Sequence, residues 1–285
     1  MNQKTKGIVC IVITAFFFAL MSVFVRLAGD LPSMQKSFFR NLVAVFFAAL
    51  LLLRNRQPVS LDRDRVVALV LRSVFGTLGV LCNYYAVDHL VLADATMLSK
   101  LSPFFAIIFS YFILKEKVTL FQGAAVTVAF LGALLIIRPT GAGMEVFPAI
   151  IGACGGITAG FAYTMVRVLG TQGVRGPFVV FFFSAFSCVV LLPFLLLDYH
   201  PMTGCQLLML LLAGGSAAAA QFAITAAYRY APAKELSVFD YSQVIFSAVL
   251  GFLIFHQVPD ALSWLGYLVI FATAAAMFLY DNRGR

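Results

Sequence analysis

Ten predominantly apolar runs follow one another along the chain, at 7–28, 33–53, 65–88, 92–114, 119–137, 146–168, 174–197, 203–229, 233–255 and 260–280. A membrane-spanning helix needs roughly 20 mainly apolar residues, and each run comes close to that length. Polar residues collect in the short connections between runs, which leaves no room for a soluble domain. The pattern predicts an all-α membrane protein of ten transmembrane helices.

The runs also repeat. A shift of 141 residues carries Val25-Arg26 onto Val166-Arg167, Leu50-Leu51 onto Leu191-Leu192, Ala86 onto Ala227 and Phe105 onto Phe246. The same shift carries Asp94 onto Glu235, Ile113 onto Ile254 and Glu116 onto Gln257. Two units, 1–141 and 142–285, each hold five spans. A unit with an odd number of spans starts on one side of the membrane and ends on the other, so the second copy is expected to lie upside down relative to the first.

Composition agrees with a lipid solvent. Hydrophobic residues make up 62% of the chain and charged residues 11%, and the mean hydropathy is +0.98, whereas soluble domains carry about 25% charged residues. The net charge of +8 would suit nucleic acid only if it gathered on one solvated face. Instead it sorts by loop parity. Fourteen of the twenty Lys and Arg lie at one side, from Lys4 and Lys6 through Arg54, Lys115, Arg167 and Arg229 to Arg285, and at most Arg26 and Arg138 lie at the other. The positive-inside rule then places both termini in the cytoplasm. The first run is too long for a signal peptide and lacks a small-x-small cleavage site before Arg26, so it reads as a retained span. The five cysteines lie in or at spans without metal-type spacing and read as unpaired thiols.

Particular residues add a family. Ala93-Asp94-Ala95-Thr96-Met97-Leu98-Ser99-Lys100-Leu101-Ser102-Pro103-Phe104-Phe105, then Leu114-Lys115-Glu116-Lys117-Val118-Thr119 and Gln122-Gly123, resembles the EamA-type repeat of the drug/metabolite transporter superfamily. Phe38-Phe39-Arg40-Asn41 resembles that family's early arginine motif, and Phe239-Asp240-Tyr241-Ser242 with His256-Gln257-Val258-Pro259-Asp260 resembles the second copy. The resemblance implies ten helices in two inverted five-helix repeats around a central cavity, and small organic solutes moved by exchange or proton coupling. Two departures separate the halves: Gln257 stands where the family has a glutamate, and Val244 stands at the position of Pro103.

Charge at the centre of a bilayer costs roughly 2.5–3.5 kcal/mol on insertion scales, so an ionisable residue inside a span is a candidate functional group. Asp240 and Lys100 are the first candidates. Seven residues of helix put Asp240 about 10 Å from its cytoplasmic end, and Lys100 lies as deep from the opposite side, so their Cα depths differ by roughly 10 Å in a hydrocarbon core about 30 Å thick. On that ruler the two are not expected to pair, and Arg72 is the better depth match for Asp240. Arg40 and Arg72 read as structural charges, with Arg40 and Lys100 in the outer half near Asp88 and Asp94. Pro103 cannot donate to the Ser99 carbonyl and is expected to kink the fourth span as a candidate hinge. Ser99, Asn83, Tyr84, Tyr163, Gln221, Tyr228 and Tyr241 complete the substrate-binding or coupling candidates. Tyrosines are the more informative among them because a buried hydroxyl needs a partner. Small residues cluster at 152–156 and 214–220, where helices can approach closely.

No phosphate-cradling Gly-Lys-Ser/Thr loop appears, nor a His-Glu-x-x-His or Gly-x-Ser-x-Gly motif, and His89, His200 and His256 lie far apart. No enzyme, cofactor, metal or nucleic-acid partner is expected. The expectation is a multi-pass protein of the plasma or inner membrane, monomeric or homodimeric. It would move a small, zwitterionic metabolite by alternating access, with an amino acid or a nucleoside-like compound such as S-adenosylmethionine as examples. A lipid or polyprenyl-linked flippase and a membrane-embedded scaffold or sensor without turnover are the alternatives.

Overall fold

A computed structural model describes residues 3–54, 62–115, 119–137, 146–230 and 239–283. Eleven helices appear among them: α1 (Gln3–Leu27), α2 (Ser33–Arg54), α3 (Arg63–His89), α4 (Leu92–Ser99), α5 (Ser102–Ile113), α6 (Leu120–Ile137), α7 (Val146–Thr171), α8 (Gly176–Leu197), α9 (Gly204–Tyr230), α10 (Ser242–Phe255) and α11 (Ala261–Arg283). Each of the ten apolar runs is helical over most of its described residues, and the fourth is divided into α4 and α5. Eight segments are long and apolar enough to cross a membrane, and α10 and residues 123–136 within α6 are shorter apolar helices. The chain is an all-α bundle of membrane spans. Glu116, Arg138 and Glu235 lie outside the described residues.

The helices are built inside out relative to a soluble protein. On α2 the buried residues are Gln35, Lys36, Ser37, Arg40, Asn41, Ala44 and Ala48. They recur at the three- and four-residue spacing of one helix face, while Leu42, Phe46, Leu50 and Leu53 cover the opposite, exposed face. Polar and small side chains thus meet other helices, and large apolar ones meet the hydrocarbon, where no polar partner exists. Phe112, Val189, Leu196 and Leu197 continue that outer surface.

Helix neighbours fall into a regular scheme. α1 packs on α9, α3 on α7, α2 on α8 and α6 on α11, while α1 also meets α10, and α7 meets α4 and α5. Shifting every element by 141 residues exchanges α1·α9 with α7·α3 and returns α2·α8 and α6·α11 to themselves. The backbone repeats as well. Among the described residues Lys115 and His256 are the non-glycine residues with positive φ, both at 53°, and they too are 141 residues apart. Each ends an apolar helix in the left-handed conformation more often given to glycine.

The fourth span breaks at Lys100-Leu101. Helix α4 ends at Ser99, and α5 starts at Ser102 with Pro103 in its first turn. There the missing N–H costs nothing. The Lys100 and Leu101 amides reach back to the Met97 and Leu98 carbonyls in three-residue turns of 3.0 and 3.2 Å. The ninth span breaks at the equivalent place, at Tyr241, and α10 starts at Ser242. That second break forms with Val244 where the first has Pro103, so proline is not required for it.

Candidate functional site

The two broken spans touch at their breaks. Lys100 Nζ donates to Asp240 Oδ2 at 2.6 Å, and the Tyr241 hydroxyl donates to the Lys100 carbonyl at 3.2 Å. The expectation that depth would keep Lys100 and Asp240 apart is therefore corrected, and Arg72 is not the partner of Asp240. The depth ruler compared Cα positions and credited only the lysine stem. The aspartate stem and the hydrogen bond itself take up the rest of the gap. Both charges are largely buried, with side-chain exposures of 8% for Lys100 and 19% for Asp240.

Helix α4 is fastened to the second half of the chain along its whole length. The Leu92 amide donates to Gln257 Oε1 at 3.1 Å, Tyr267 Oη donates to Asp94 Oδ1 at 2.6 Å, and Thr96 Oγ1 donates to Ser247 Oγ at 2.8 Å. The Lys100–Asp240 pair ends this ladder. On the other side α7 presses its small residues against the break. A Cβ on Gly156 would lie 2.6 Å from the Leu98 carbonyl oxygen, and one on Gly160 would lie 2.7 Å from the Ser102 carbonyl oxygen. Large residues at 156 and 160 would thus displace the backbone that carries Lys100.

Tyr163, one turn beyond Gly160 on α7, is within electrostatic reach of Asp240, Arg72 and Arg40 and is 40% exposed. Broken helices near the middle of the membrane are where transporters of inverted-repeat design hold their solutes.

The remaining candidates are spread more widely. The Ser99 hydroxyl turns back to donate to the Thr96 carbonyl at 2.7 Å, within its own helix. Asn83 is half-buried on α3 and Gln221 half-buried on α9. Tyr84 is almost fully enclosed, and its hydroxyl lies against the Arg40 guanidinium. The side chain of Tyr228 lies outside the described residues. Arg40 donates to Asn41 Oδ1 at 2.7 Å. The Arg72 guanidinium carbon lies 4.3 Å from the centre of the Phe183 ring, and that of Arg40 lies 5.9 Å from the same ring.

Sequence reasoning missed three contacts. Lys36, 1% exposed, donates to both carboxylate oxygens of Asp88 at 2.7 Å. Both residues sit near the ends of their spans, Lys36 in the first turn of α2 and Asp88 in the last turn of α3, a signal that was present in the sequence. Phe183, shared by two arginines, gave no signal among 30 phenylalanines. The third contact explains Gln257. Its Oε1 accepts from Arg26 Nη1 at 3.0 Å and from the Leu92 amide, while the same Arg26 nitrogen donates to the Leu90 carbonyl at 2.8 Å. One amide oxygen therefore ties α1 and the start of α4 to the end of α10. Gln257→Ala should cost about 1–3 kcal/mol, because it leaves a partly buried amide and a guanidinium without their acceptor. The apparent melting temperature of the detergent-solubilised protein reads this loss, and an unchanged value would remove Gln257 from the structural role.

Comparison with known proteins decides the family. The EamA-like transporter family matches the chain twice, over residues 5–138 and 147–279. The chain belongs to the EamA-like transporter family. The pseudopaline exporter CntI of Pseudomonas aeruginosa is 31% identical over 274 residues, covering 95% of each chain. A riboflavin transporter of Brucella anthropi is 26% identical, covering 93% of this chain and 95% of its own. A solved crystal structure at 15% identity shares the fold, with a TM-score of 0.67 over 98% of each chain. This EamA-like protein is thus a multi-pass membrane transporter of a small molecule and belongs to the drug/metabolite transporter superfamily, not to an enzyme family.

Proposed function

We propose that this transporter is a secondary active carrier of a small organic metabolite in the plasma or inner membrane, working by alternating access. The observation that carries the reading is the Lys100–Asp240 pair, set where two broken spans meet. A solute with an ammonium and a carboxylate can compete for both members of such a pair. Binding would then replace one set of charge contacts with another, so the site need not expose a bare charge at any stage. The pair also gives a coupling device, since a proton or an exchanging solute on Asp240 would release Lys100.

The units 1–141 and 142–285 are read as inverted five-helix repeats with both termini in the cytoplasm. The exchange of helix neighbours, the paired breaks and the matching left-handed residues at Lys115 and His256 support the duplication. The two family matches support it independently. Inversion follows from the odd number of spans, and orientation from the loop charges. No Gly-Lys-Ser/Thr loop is present in the sequence, which favours a gradient or exchange over ATP as the driving force.

For the solute, a zwitterionic metabolite fits the pair. The named solutes of relatives, pseudopaline and riboflavin, are the first compounds to try, beside amino acids and S-adenosylmethionine. The test is counterflow in proteoliposomes loaded with each unlabelled solute. Accumulation of the labelled form above equilibrium supports the carrier. Scrambling of labelled lipids without exchange of any soluble metabolite sinks it in favour of a flippase.

A further inference from the structure

Arg40 and Arg72 present an unresolved charge balance. Both lie inside spans and are nearly inaccessible, at 3% and 6% exposure. Neither forms an ion pair among the described residues. The side-chain acceptors beside them among the described residues are neutral: Asn41 Oδ1 accepts from Arg40, and the Tyr84 hydroxyl lies against the same guanidinium. The Nε of each arginine is a buried donor without a partner among the described residues. Ser184 Oγ, next to Phe183 on α8, is a third buried group left unpaired. Natural proteins leave few such atoms, and each calls for an explanation.

Structural roles do not supply one. Stacking on Phe183 offsets part of the desolvation of Arg72, but it leaves the N–H edges of the guanidinium unused. Two like charges held near one aromatic ring also repel each other, and their guanidinium carbons can be no farther apart than the sum of their distances to it. A buried charge without its counter-charge is strongly destabilising. Residues kept at that cost inside a membrane favour a role with a ligand. The unused N–H groups of both arginines are donors that carry positive charge, so the missing partner is an acceptor with negative charge. A planar fork of N–H groups matches a carboxylate. Tyr163, which feels the charges of both arginines and of Asp240, links this place to the Lys100–Asp240 pair.

We propose that Arg40 and Arg72 form an anion subsite that takes a carboxylate of the transported solute, so that the substrates are small metabolites with more carboxylates than ammonium groups. The assignment rests on the carrier reading and deepens it. Lys100 is balanced by Asp240, and the two arginines add positive charge that the solute must neutralise. A plain zwitterion would leave that charge uncovered.

Glutamate and glutamine differ in one charge at nearly equal size and serve as probes. The full chain in lipid nanodiscs is titrated with each, and with inorganic phosphate, at matched ionic strength, and followed by thermal stabilisation. Glutamate should stabilise more strongly than glutamine. Arg72→Gln should abolish that preference while raising the melting temperature of the unliganded protein, since the variant removes an unbalanced charge. Arg72→Lys keeps the charge but loses the fork, and should weaken the apparent glutamate affinity at least about tenfold. That variant decides the matter if Arg72→Gln does not fold. Equal responses to glutamate and glutamine, no response to either, a response to phosphate alone, or a glutamate preference that survives in Arg72→Gln would each overturn the carboxylate subsite. A glutamate-specific response in a protein that fails every counterflow assay would instead overturn the carrier reading and leave the subsite standing.

Discussion

Asp240→Asn should abolish transport, lowering the counterflow rate at least a hundredfold, and should destabilise the protein by about 3 kcal/mol. The stability figure sits at the low end for breaking a buried pair, because the Asp240 side chain retains 19% exposure and the pair is not fully desolvated. Asparagine keeps the shape and one hydrogen bond, so the loss reports the charge. Lys100→Met should stop transport to the same extent and strand the carboxylate instead. The double variant Lys100→Met with Asp240→Leu separates structure from mechanism. Replacing both members of a buried pair by apolar residues is often neutral for stability, so the double variant should regain the melting temperature of the parent and still fail to transport. Recovery of transport in it would reduce the pair to a structural fastener. If Asp240 also carries the coupling proton, the Asn variant loses the pH dependence of any residual flux; a residual flux with the parental pH profile would assign the proton elsewhere.

The pair itself illustrates what the sequence does and does not contain. Ten apolar runs give ten helical segments because hydrocarbon leaves a backbone no other way to satisfy its polar groups. The division of the fourth span was legible at Pro103. Its counterpart at Tyr241 was not, since Val244 gives no local signal and the break is set by packing across α4 and α10. Lys100 and Asp240 were visible as charges inside spans, but a depth measured on Cα atoms put them apart. Depth along a helix says nothing about which way a side chain turns, and only the helix neighbours reveal that Lys36 takes Asp88. Gln257 looked like a lost functional glutamate. In the structure it has a local task, accepting from Arg26 and from the first amide of α4. The departures from the repeat therefore divide into two kinds: Gln257 serves the scaffold, while Lys100 and Asp240 form a charge pair that their counterparts Tyr241 and Ser99 do not repeat.

Gly160→Ala should reduce transport at least tenfold, and Gly156→Ala similarly, by acting on the backbone under Lys100. Two effects oppose each other at these positions. Alanine in a helix interior is intrinsically favoured over glycine by about 1 kcal/mol. Against that, the new methyl group at 160 would lie 2.7 Å from the Ser102 carbonyl oxygen and 2.8 Å from the Phe105 Cβ, and the one at 156 would lie 2.6 Å from the Leu98 carbonyl oxygen. None of these is the far end of a flexible side chain, so α7 must move away from α4 and α5. Overpacking of this kind costs about 1–3 kcal/mol, which outweighs the gain in propensity. Gly215 on α9 is the control, since a Cβ there meets nothing within 4 Å; Gly215→Ala should keep full transport and gain slightly in stability. Melting temperature and counterflow, measured on all three variants, separate the contributions. A Gly160→Ala protein that is less stable yet transports at the parental rate would mean that α7 supports the fold without setting the geometry of the Lys100–Asp240 pair. Loss of transport out of proportion to a modest fall in stability is the expected pattern if the close approach of α7 to the broken span positions the ion pair for the solute.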